Sequence, residues 1–415
     1  MSKLKELIDR LCPDGVEFIK LKEIAQIGTG SSDKKDAVET GKYPFYVRSK
    51  NIERHDKFEY NEEAVIIPGE GGIGEIFHYA NGPYALHQRV YRIHFNDSRV
   101  NTKYAYYYLF NHFKEFITKK AVSATVTSIR KPMIEDFPLP VPPIEVQEEI
   151  VRILDTFSAH AAELQAELQA RKEQYEYYRN LLLTFNPSAC GCGTDDKQEI
   201  SVNAWGGHNY EITWKTMEEI GKFFSGLTGK SKSDFINGNA RFISYMNVYS
   251  NIALNLNAEE FVQIGETEKQ NTLEYGDAIF TGSSETPNEC GMSSVVTKKP
   301  SEPLYLNSFC FGFRIDDKGL FAPDFLKHLL RSKFIRNQIA KTANGVTRFN
   351  VSKALFAKVV LPIPPYELQV KIASILDRFE TLVNDLTEGL PAEIAAVKEQ
   401  YEYYRNKLLT FKKAS

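Results

Sequence analysis

The sequence predicts an α+β protein with two globular domains, each built on antiparallel sheets and each followed by a long helix. The chain has 415 residues, which is too long for a single hydrophobic core. A segment of thirteen residues, Glu173–Phe185, recurs as Glu399–Phe411 with one difference, so the chain contains an internal repeat. Short apolar stretches such as Ala64–Pro68 and Ala278–Thr281 lie between turn residues, as strands do.

Two further pairs of segments indicate where each repeat passes from a globular domain into a helix. Leu139–Gln147 pairs with Leu361–Gln369, and Ile153–Phe157 pairs with Ile375–Phe379. Proline ends an extended segment and is tolerated in the first helical turn, so a helix is predicted after each proline cluster. The predicted order is a first domain (1–143), a first helix (144–185), a linker (186–208), a second domain (209–365) and a second helix (366–411).

Both predicted helices carry an apolar stripe with the alternating spacing of a coiled coil. In the first helix the stripe consists of Ile150, Leu154, Phe157, Ala161, Leu164, Leu168, Arg171, Tyr175, Tyr178 and Leu182. In the second it runs from Ile372 to Leu408 with one extra step of four residues, and Gly and Pro within 387–391 predict a kink there. Two similar stripes in one chain predict that the helices pair as an antiparallel coiled coil with pseudo-twofold symmetry.

The composition narrows the class of protein. With 42% hydrophobic and 25% charged residues, the chain resembles an ordinary globular protein, and it has no apolar run of membrane-spanning length. No apolar signal core follows Met1, so a cytoplasmic location without membrane contact is expected. Five scattered cysteines favour reduced thiols, and Cys190 with Cys192 supplies too few ligands for zinc, so no metal site is predicted.

The charge is unevenly distributed although the net charge is only −3. Residues 101–131 and 323–353 align with each other and carry net charges of +5 and +6, whereas the helical segments 144–185 and 366–411 carry −4 and −3. Basic charge with nearby hydroxyl and amide groups is typical of DNA phosphate contacts. The candidates in these basic stretches are Lys119, Lys120, Thr125, Arg130, Lys341, Thr347 and Arg348.

Base edges are read by Arg, Asn, Gln and other polar side chains, so candidates for base contacts are sought in the dissimilar middle of each domain. In the first domain these candidates are Arg48, Lys50, Asn51, Arg54, His87 and Gln88. In the second they are Tyr245, Asn247, Ser284, Glu285 and Asn307. The same residue types also occur in ordinary turns and surfaces, and the pattern does not indicate which bases are read.

Several short segments resemble catalytic or cofactor-binding motifs, but each lacks a residue or an element that the chemistry requires. Gly69–Gly74 has dinucleotide-binding spacing but leads into a predicted strand and turn instead of a helix. Gly229-Lys230-Ser231 lacks the first glycine of a phosphate loop, where Phe224 stands. Ile363–Tyr366 has isoleucine where an amino-methyltransferase needs a hydrogen-bond acceptor. No catalytic residue is therefore predicted.

The layout resembles the specificity (S) subunit of type I restriction-modification enzymes. The resemblance covers essentially the whole chain, and its most specific parts are the two Tyr-Glu-Tyr-Tyr-Arg-Asn segments, the two Leu-Pro-x-Pro-Pro segments and Leu386–Pro391. It implies a subunit without catalysis of its own, in which each domain reads one half of a split site in double-stranded DNA and the helices set the gap.

The resemblance also implies two modification (methyltransferase) subunits docked on the helices, together with restriction (translocase/endonuclease) subunits. The residues expected to dock them are Tyr175, Tyr178, Arg179, Tyr401, Tyr404 and Arg405. S-adenosylmethionine, ATP and Mg are expected on those partners, and no cofactor is expected in this chain.

A tandem unit in the first helix resembles the spacing element of that family. Ala162–Gln165 is repeated at once as Ala166–Gln169, and four helical residues correspond to about 6 Å. Gain or loss of one unit is therefore predicted to change the gap.

Two other functions stay open on the sequence alone. One is a protein-protein scaffold with duplicated domains on a coiled-coil spacer. The other is a nuclease, suggested only by Pro13-Asp14 followed by Asp33-Lys34-Lys35.

Overall fold

The computed structural model describes residues 2–120, 128–185, 197–201, 209–257, 259–385 and 388–414. In the first half of the chain the helices are α1 (Ser2–Leu11), α2 (Leu21–Ile24), α3 (Thr102–Lys120), α4 (Lys131–Glu135) and α5 (Ile144–Leu183). The strands are β1 (Phe18–Lys20), β2 (Ala25–Thr29), β3 (Tyr43–Tyr46), β4 (Glu53–His55), β5 (Tyr60–Pro68), β6 (His78–Leu86), β7 (Val90–Phe95) and β8 (Pro138–Pro140).

In the second half the strands are β9 (Lys197–Ser201), β10 (Asn209–Thr216), β11 (Gly221–Ser225), β12 (Ala240–Ile243), β13 (Phe261–Val262), β14 (Ala278–Thr281), β15 (Ser283–Ser284), β16 (Ser293–Val295), β17 (Tyr305–Leu306), β18 (Cys310–Ile315), β19 (Ala343–Asn344), β20 (Phe349–Val351) and β21 (Val360–Ile363). The helices are α6 (Met217–Ile220), α7 (Tyr245–Ser250), α8 (Pro323–Arg331), α9 (Lys333–Ala340), α10 (Lys353–Phe356), α11 (Tyr366–Asn384) and α12 (Leu390–Leu408).

The chain divides into two compact units. Unit 1 comprises Met1–Gln165 and Glu393–Ser415, and unit 2 comprises Ala166–Ala392. The boundary therefore falls inside α5, between the two copies of the tandem unit, and again near the start of α12. Each unit contains one globular domain, the first part of the helix that follows it, and the last part of the other long helix.

Unit 1 is built on a six-stranded sheet with the order β2-β7-β5-β6-β3-β4 and on a separate β1-β8 pair. Apolar residues at alternate positions of β5 and β7, such as Val65 opposite Ile93, are fully buried beneath α3. All pairs in the large sheet are antiparallel except β3 with β6. The α+β prediction is confirmed, but the sheet is mixed because β3 and β6 run in the same direction.

Unit 2 repeats this design in smaller sheets. Its largest sheet has the order β11-β18-β14-β16, and a second has the order β13-β12-β17. The β12-β17 pair is parallel, as is the β3-β6 pair in unit 1. Residues 197–201, which the sequence assigns to a linker, form strand β9 and pair with β10, whereas the rest of 186–208 lies outside the described residues. This difference arises because Lys197–Ser201 complements the hydrogen-bonding edge of β10.

The two long helices pair within each unit through the repeated segments. In unit 1, Phe157 near the start of α5 stacks on Tyr404 near the end of α12, with ring centroids 5.4 Å apart. In unit 2, Tyr178 near the end of α5 stacks on Phe379 of α11, also at 5.4 Å. The start of one helix thus contacts the end of the other in each unit, which confirms the predicted antiparallel pairing.

The second long helix is interrupted where the sequence predicts a kink. Helix α11 ends at Asn384 and α12 begins at Leu390, while Leu386 and Thr387 lie outside the described residues. A Cβ atom on Gly389 would lie 2.5 Å from the carbonyl oxygen of Thr381, so only glycine fits at this position. Among the described residues, no helix is both long enough and apolar enough to cross a membrane.

Candidate nucleic-acid interface

In unit 1, three chain segments meet at one end of the large sheet, at a place that we call the unit 1 junction. The backbone N–H of His87 donates to the Tyr46 carbonyl at 3.1 Å, and the Gly69 N–H donates to the Arg89 carbonyl at 2.9 Å. Nδ1 of His87 accepts a hydrogen bond from the Arg89 backbone N–H at 3.0 Å. These bonds hold the ends of β3 and β5 against the turn between β6 and β7.

Three charged side chains, which we call the unit 1 triad, lie together on this junction. The Glu70 carboxylate accepts hydrogen bonds from Arg48 Nη1 at 2.9 Å and from Arg89 Nη1 at 2.9 Å and 3.2 Å. The hydrogen bond from Arg89, followed by that from Arg48, lowers the pKa of the Glu70 carboxyl. Arg48 and Glu70 line a cleft of about 230 Å³ together with Lys34 and His87. The triad therefore combines two cations and one anion at the surface.

Unit 2 contains the same junction, formed by the same hydrogen bonds. The Asn307 N–H donates to the Ile243 carbonyl at 2.9 Å, and the Gly282 N–H donates to the Phe309 carbonyl at 2.7 Å. Oδ1 of Asn307 accepts from the Phe309 N–H at 2.8 Å, as the His87 ring does in the corresponding turn. The unit 2 junction is therefore the structural equivalent of the unit 1 junction.

The side chains on the unit 2 junction differ in chemistry from those on the unit 1 junction. Tyr245, Ser283 and Phe309 form the unit 2 triad, in which the Tyr245 hydroxyl donates to the Ser283 carbonyl at 2.8 Å. Arg348 donates to Ser283 Oγ at 3.0 Å and lies 5.9 Å from the Phe309 ring centroid. These side chains line a cleft of about 610 Å³, together with Met246, Tyr249, Ser284, Glu285, Glu289 and Thr347. The cleft is open, partly aromatic and polar.

The structure brings several candidates of the second domain together. Five of them line the unit 2 cleft, namely Tyr245, Ser284, Glu285, Thr347 and Arg348. Asn247 is not among the residues that line the cleft. Its side-chain amide donates to the Asn255 carbonyl at 2.8 Å and accepts from the Asn255 N–H at 3.1 Å. Lys341 is exposed at the end of α9, outside the cleft.

The candidates of the first domain are more dispersed. Arg48 and His87 line the unit 1 cleft, but His87 is only 3% exposed and shapes the turn. Arg54 donates to the backbone carbonyls of Gly41 and Lys42 at 2.9 Å and 3.0 Å, which holds a loop in place. The remaining candidates are exposed and lie near the unit 1 junction, namely Lys50 and Asn51 in the turn after β3, and Gln88, which donates to Asp33.

The basic stretch of the first domain is only partly described. Lys119 pairs with Glu115 one helical turn away, at 2.6 Å, and Arg130 is exposed just before α4. Thr125 lies outside the described residues, as does the side chain of Lys120.

The residues expected to dock partners point largely into the protein. The Tyr175 hydroxyl bonds Nδ1 of the buried His328 at 3.0 Å, and Arg405 donates to Asn111 at 2.9 Å. Tyr178 and Tyr404 are the stacked residues of the helix pairs, while Tyr401 and Arg179 are half-buried. In the same two segments Tyr177 is 63% exposed and Tyr403 is 59% exposed. The helical period therefore presents a different tyrosine of each segment to solvent.

Four residues of the two triads were not among the candidates from the sequence, namely Glu70, Arg89, Ser283 and Phe309. Arg89 and Phe309 each stand two residues after a selected candidate, His87 or Asn307, so their position in the turn was the available signal. Glu70 was hidden inside the glycine-rich motif, which leads from β5 into β6 and not into a helix.

One further cluster of side chains has the composition of a metal site. His328, Asp377 and Glu380 lie close together in unit 2. However, the Lys327 ammonium lies 2.9 Å from Asp377 and 3.0 Å from Glu380, so a cation already occupies this position. The cluster is an ion-pair network that joins α8 to α11.

Comparison with known proteins shows what this architecture is similar to. The family model described as the type I restriction modification DNA specificity domain matches residues 13–173 and 211–396, one match for each repeat. The type I restriction enzyme EcoR124I/EcoR124II specificity subunit of Escherichia coli is 31% identical over 337 residues, covering 77% of this chain and 73% of that protein. The putative type I restriction enzyme specificity subunit S.HindORF215P of Haemophilus influenzae is 28% identical over 417 residues, covering 95% of this chain and 96% of that protein.

A solved structure has the same fold. The type I restriction-modification S subunit from M. genitalium aligns over 95% of this chain and 96% of its own with a TM-score of 0.53 at 15% identity. Two equivalent junctions on repeated domains, each domain followed by a long helix, define a class of duplicated proteins in which one domain design carries two different sets of junction side chains. Within that class, the chain belongs to the family of type I restriction-modification specificity subunits. The resemblance noted in the sequence is thereby confirmed.

Proposed function

We propose that each unit reads one half of a split DNA target, and that the two junctions are the places where the bases are read. The observation that supports this is the pair of equivalent junctions, which share a backbone frame and carry different side chains. A common frame with variable side chains suits a protein that reads two different short sequences with one architecture.

The unit 2 cleft has the groups that base reading requires. Arg348 and Thr347 supply donors, Glu285 and Glu289 supply acceptors, and Phe309 supplies an exposed apolar surface. The Tyr249 hydroxyl donates to Glu289 at 2.9 Å, and this bond lowers the pKa of the carboxyl, so Glu289 remains an ionised acceptor. The exposed lysines and arginines, including Arg130 and Lys341, would contact phosphates and set the register.

In this proposal the helices set the gap between the two half-sites and dock two modification subunits. Tyr177 and Tyr403 support the docking, because they are exposed large aromatic residues at equivalent positions of the two repeats. Exposed tyrosines are typical of interface anchors.

In this proposal the chain would carry no catalysis of its own. S-adenosylmethionine would be held by the modification subunits, and ATP and Mg by the restriction subunits.

The experiment is sequencing of adenine methylation in a methylation-free host that expresses this chain with its modification subunit. We expect a motif with two short specified halves around a fixed gap. If both proteins are well expressed and no methylated motif appears, the proposal is wrong, and a protein-protein scaffold becomes the better interpretation.

A further inference from the structure

The two triads occupy matching positions on their junctions. Arg48 and Tyr245 are each the second residue after a strand, β3 or β12. Glu70 and Ser283 each follow a glycine whose N–H bonds the turn, while Arg89 and Phe309 each stand in that turn and accept this bond. In both units the first member of the triad hydrogen-bonds the second, at 2.9 Å in unit 1 and 2.8 Å in unit 2. Each position of the unit 1 triad can therefore be compared with its counterpart in unit 2.

We propose that the unit 1 triad reads a G·C base pair, with Arg48 or Arg89 donating to guanine. This inference rests on the proposed function of the junctions. A guanidinium group presents two parallel N–H donors that match O6 and N7 of guanine, which is the commonest specific contact in the major groove. The Glu70 carboxylate lies beside both guanidinium groups and can accept from N4 of the paired cytosine.

The carboxylate distinguishes base reading from phosphate binding. Phosphate contacts depend on basic charge, and an anion placed between two arginines weakens the attraction for a phosphate. A G·C pair, in contrast, offers acceptors on guanine and a donor on cytosine, which matches two arginines with a glutamate between them. Glu70 therefore holds the two guanidinium groups in place and also offers the acceptor for the cytosine.

The arginines of the unit 1 triad can exchange their hydrogen bond to Glu70 for one to a base. The side chains of Arg48, Glu70 and Arg89 are 41%, 36% and 57% exposed. Such exposed pairs contribute little to folding stability, so an arginine can leave Glu70 for a base at small cost. At the three triad positions unit 2 has tyrosine, serine and phenylalanine, which favour other contacts, including the thymine methyl group. The guanidinium in its cleft belongs to Arg348, which comes from a different position, between β19 and β20. The two half-sites should therefore differ in base chemistry.

The experiment compares methylation motifs of complexes that carry R48K, R89K or E70Q with the wild-type motif. Lysine keeps the positive charge but cannot make the bidentate hydrogen bonds of a guanidinium group. In at least one of the lysine variants we expect relaxed preference at one guanine of one half-site, by roughly 5- to 150-fold, with the other half unchanged. E70Q should relax the same position to a smaller extent.

Arg99→Lys is the matched control, because Arg99 is 59% exposed and is paired with Asp97, and it lies outside the junction. Phe309→Leu is the second control and should alter only the half-site that the lysine variants leave intact. An unchanged motif in both lysine variants, or a uniform loss of methylation without altered preference, would overturn the proposal for the triad. A wild-type split motif without guanine in either half would also overturn it while leaving the proposed function in place. Absence of any split motif would remove the proposed function itself.

Discussion

At the scale of residues, two buried glutamines explain why one proline-containing segment is repeated. Oε1 of Gln147 accepts from the Asn101 N–H at 2.8 Å, and its Nε2 donates to the carbonyls of Arg99 and Pro142 at 2.6 Å. Gln369 makes the corresponding three bonds in unit 2. Each glutamine joins the start of a long helix to the loop that precedes a helix of the globular domain. The repeated segment therefore has a structural role in both units.

Replacing Gln147 by leucine should destabilise unit 1. The substitution leaves one backbone N–H and two carbonyl groups without these bonds in a buried site, so we expect a loss of about 2–4 kcal/mol. Urea unfolding measures this loss. Gln169→Leu is the matched control, since Gln169 is exposed on α5 and should change the free energy of unfolding by less than about 0.5 kcal/mol. Equal stability of the two variants would show that the buried amide is dispensable.

Glu149 makes the stability of unit 1 depend on pH. Hydrogen bonds from Arg152 and from Lys3 of α1 lower the pKa of this buried carboxyl to about 2. Folding lowers the pKa of this carboxyl below its ordinary value of 4.5. The ionised carboxylate therefore contributes to the stability of unit 1 above about pH 4.5. This contribution is lost as the pH falls from about 4.5 to 2.

We therefore expect Glu149→Gln to lower stability at pH 7 and to reduce the further loss of stability on acidification. Thermal unfolding between pH 7 and 2.5 tests this difference. Glu163→Gln serves as the control, because Glu163 is 82% exposed on the same helix. Parallel pH profiles of wild type and Glu149→Gln would contradict the assignment.

At the scale of elements, α5 combines two kinds of surface along its length. Every residue of its predicted apolar stripe is buried or half-buried, including Arg171. In the tandem unit, only Leu164 and Leu168 are buried, and the alanine, glutamate and glutamine residues are exposed. Each copy of the tandem unit therefore adds one buried leucine and three exposed residues to the helix.

Deletion of residues 166–169 should shorten the gap in the methylated motif. Removing four helical residues shortens α5 by about 6 Å, and we expect a gap shorter by one or two base pairs. Sequencing of adenine methylation gives the gap directly. A variant with Glu167→Ala and Gln169→Ala keeps the length of the helix and should keep the gap. A gap that is unchanged after the deletion would contradict the spacing role.

At the scale of the whole molecule, neither unit is made from one repeat alone. Unit 1 holds the end of α12, where Leu408 and Leu409 join the core of the first globular domain. Unit 2 holds the end of α5, where Asn180 accepts a hydrogen bond from the Lys333 N–H at 3.0 Å. Each unit therefore presents one exposed tyrosine from the repeat that does not supply its globular domain, Tyr403 in unit 1 and Tyr177 in unit 2.

Each of these tyrosines should contribute to the docking of one modification subunit. We expect Tyr177→Ala and Tyr403→Ala each to weaken binding of one copy by about tenfold or more, and the double variant to weaken both. Native mass spectrometry of the complex reports the number of bound copies. Phe58→Ala is the control, because Phe58 is an exposed aromatic residue in the loop between β4 and β5 and belongs to neither long helix. Full binding of two copies by the double variant would show that docking uses another surface.

The sequence by itself determined the repeat, the helices, the fold class and the family resemblance, because these depend on local periodicity, proline positions and near-identity of segments. Thirteen residues with one difference and a regular apolar stripe carry that information without any knowledge of distant contacts. Only the tertiary structure decided which polar residues gather at the junctions. Glu70 meets Arg89, 19 residues away, because β5 pairs antiparallel with β7, and it meets Arg48, 22 residues away, because β3 pairs in parallel with β6 beside that turn. Only the tertiary structure also decided which tyrosine of each repeated segment faces outward, because that depends on which helix packs against it.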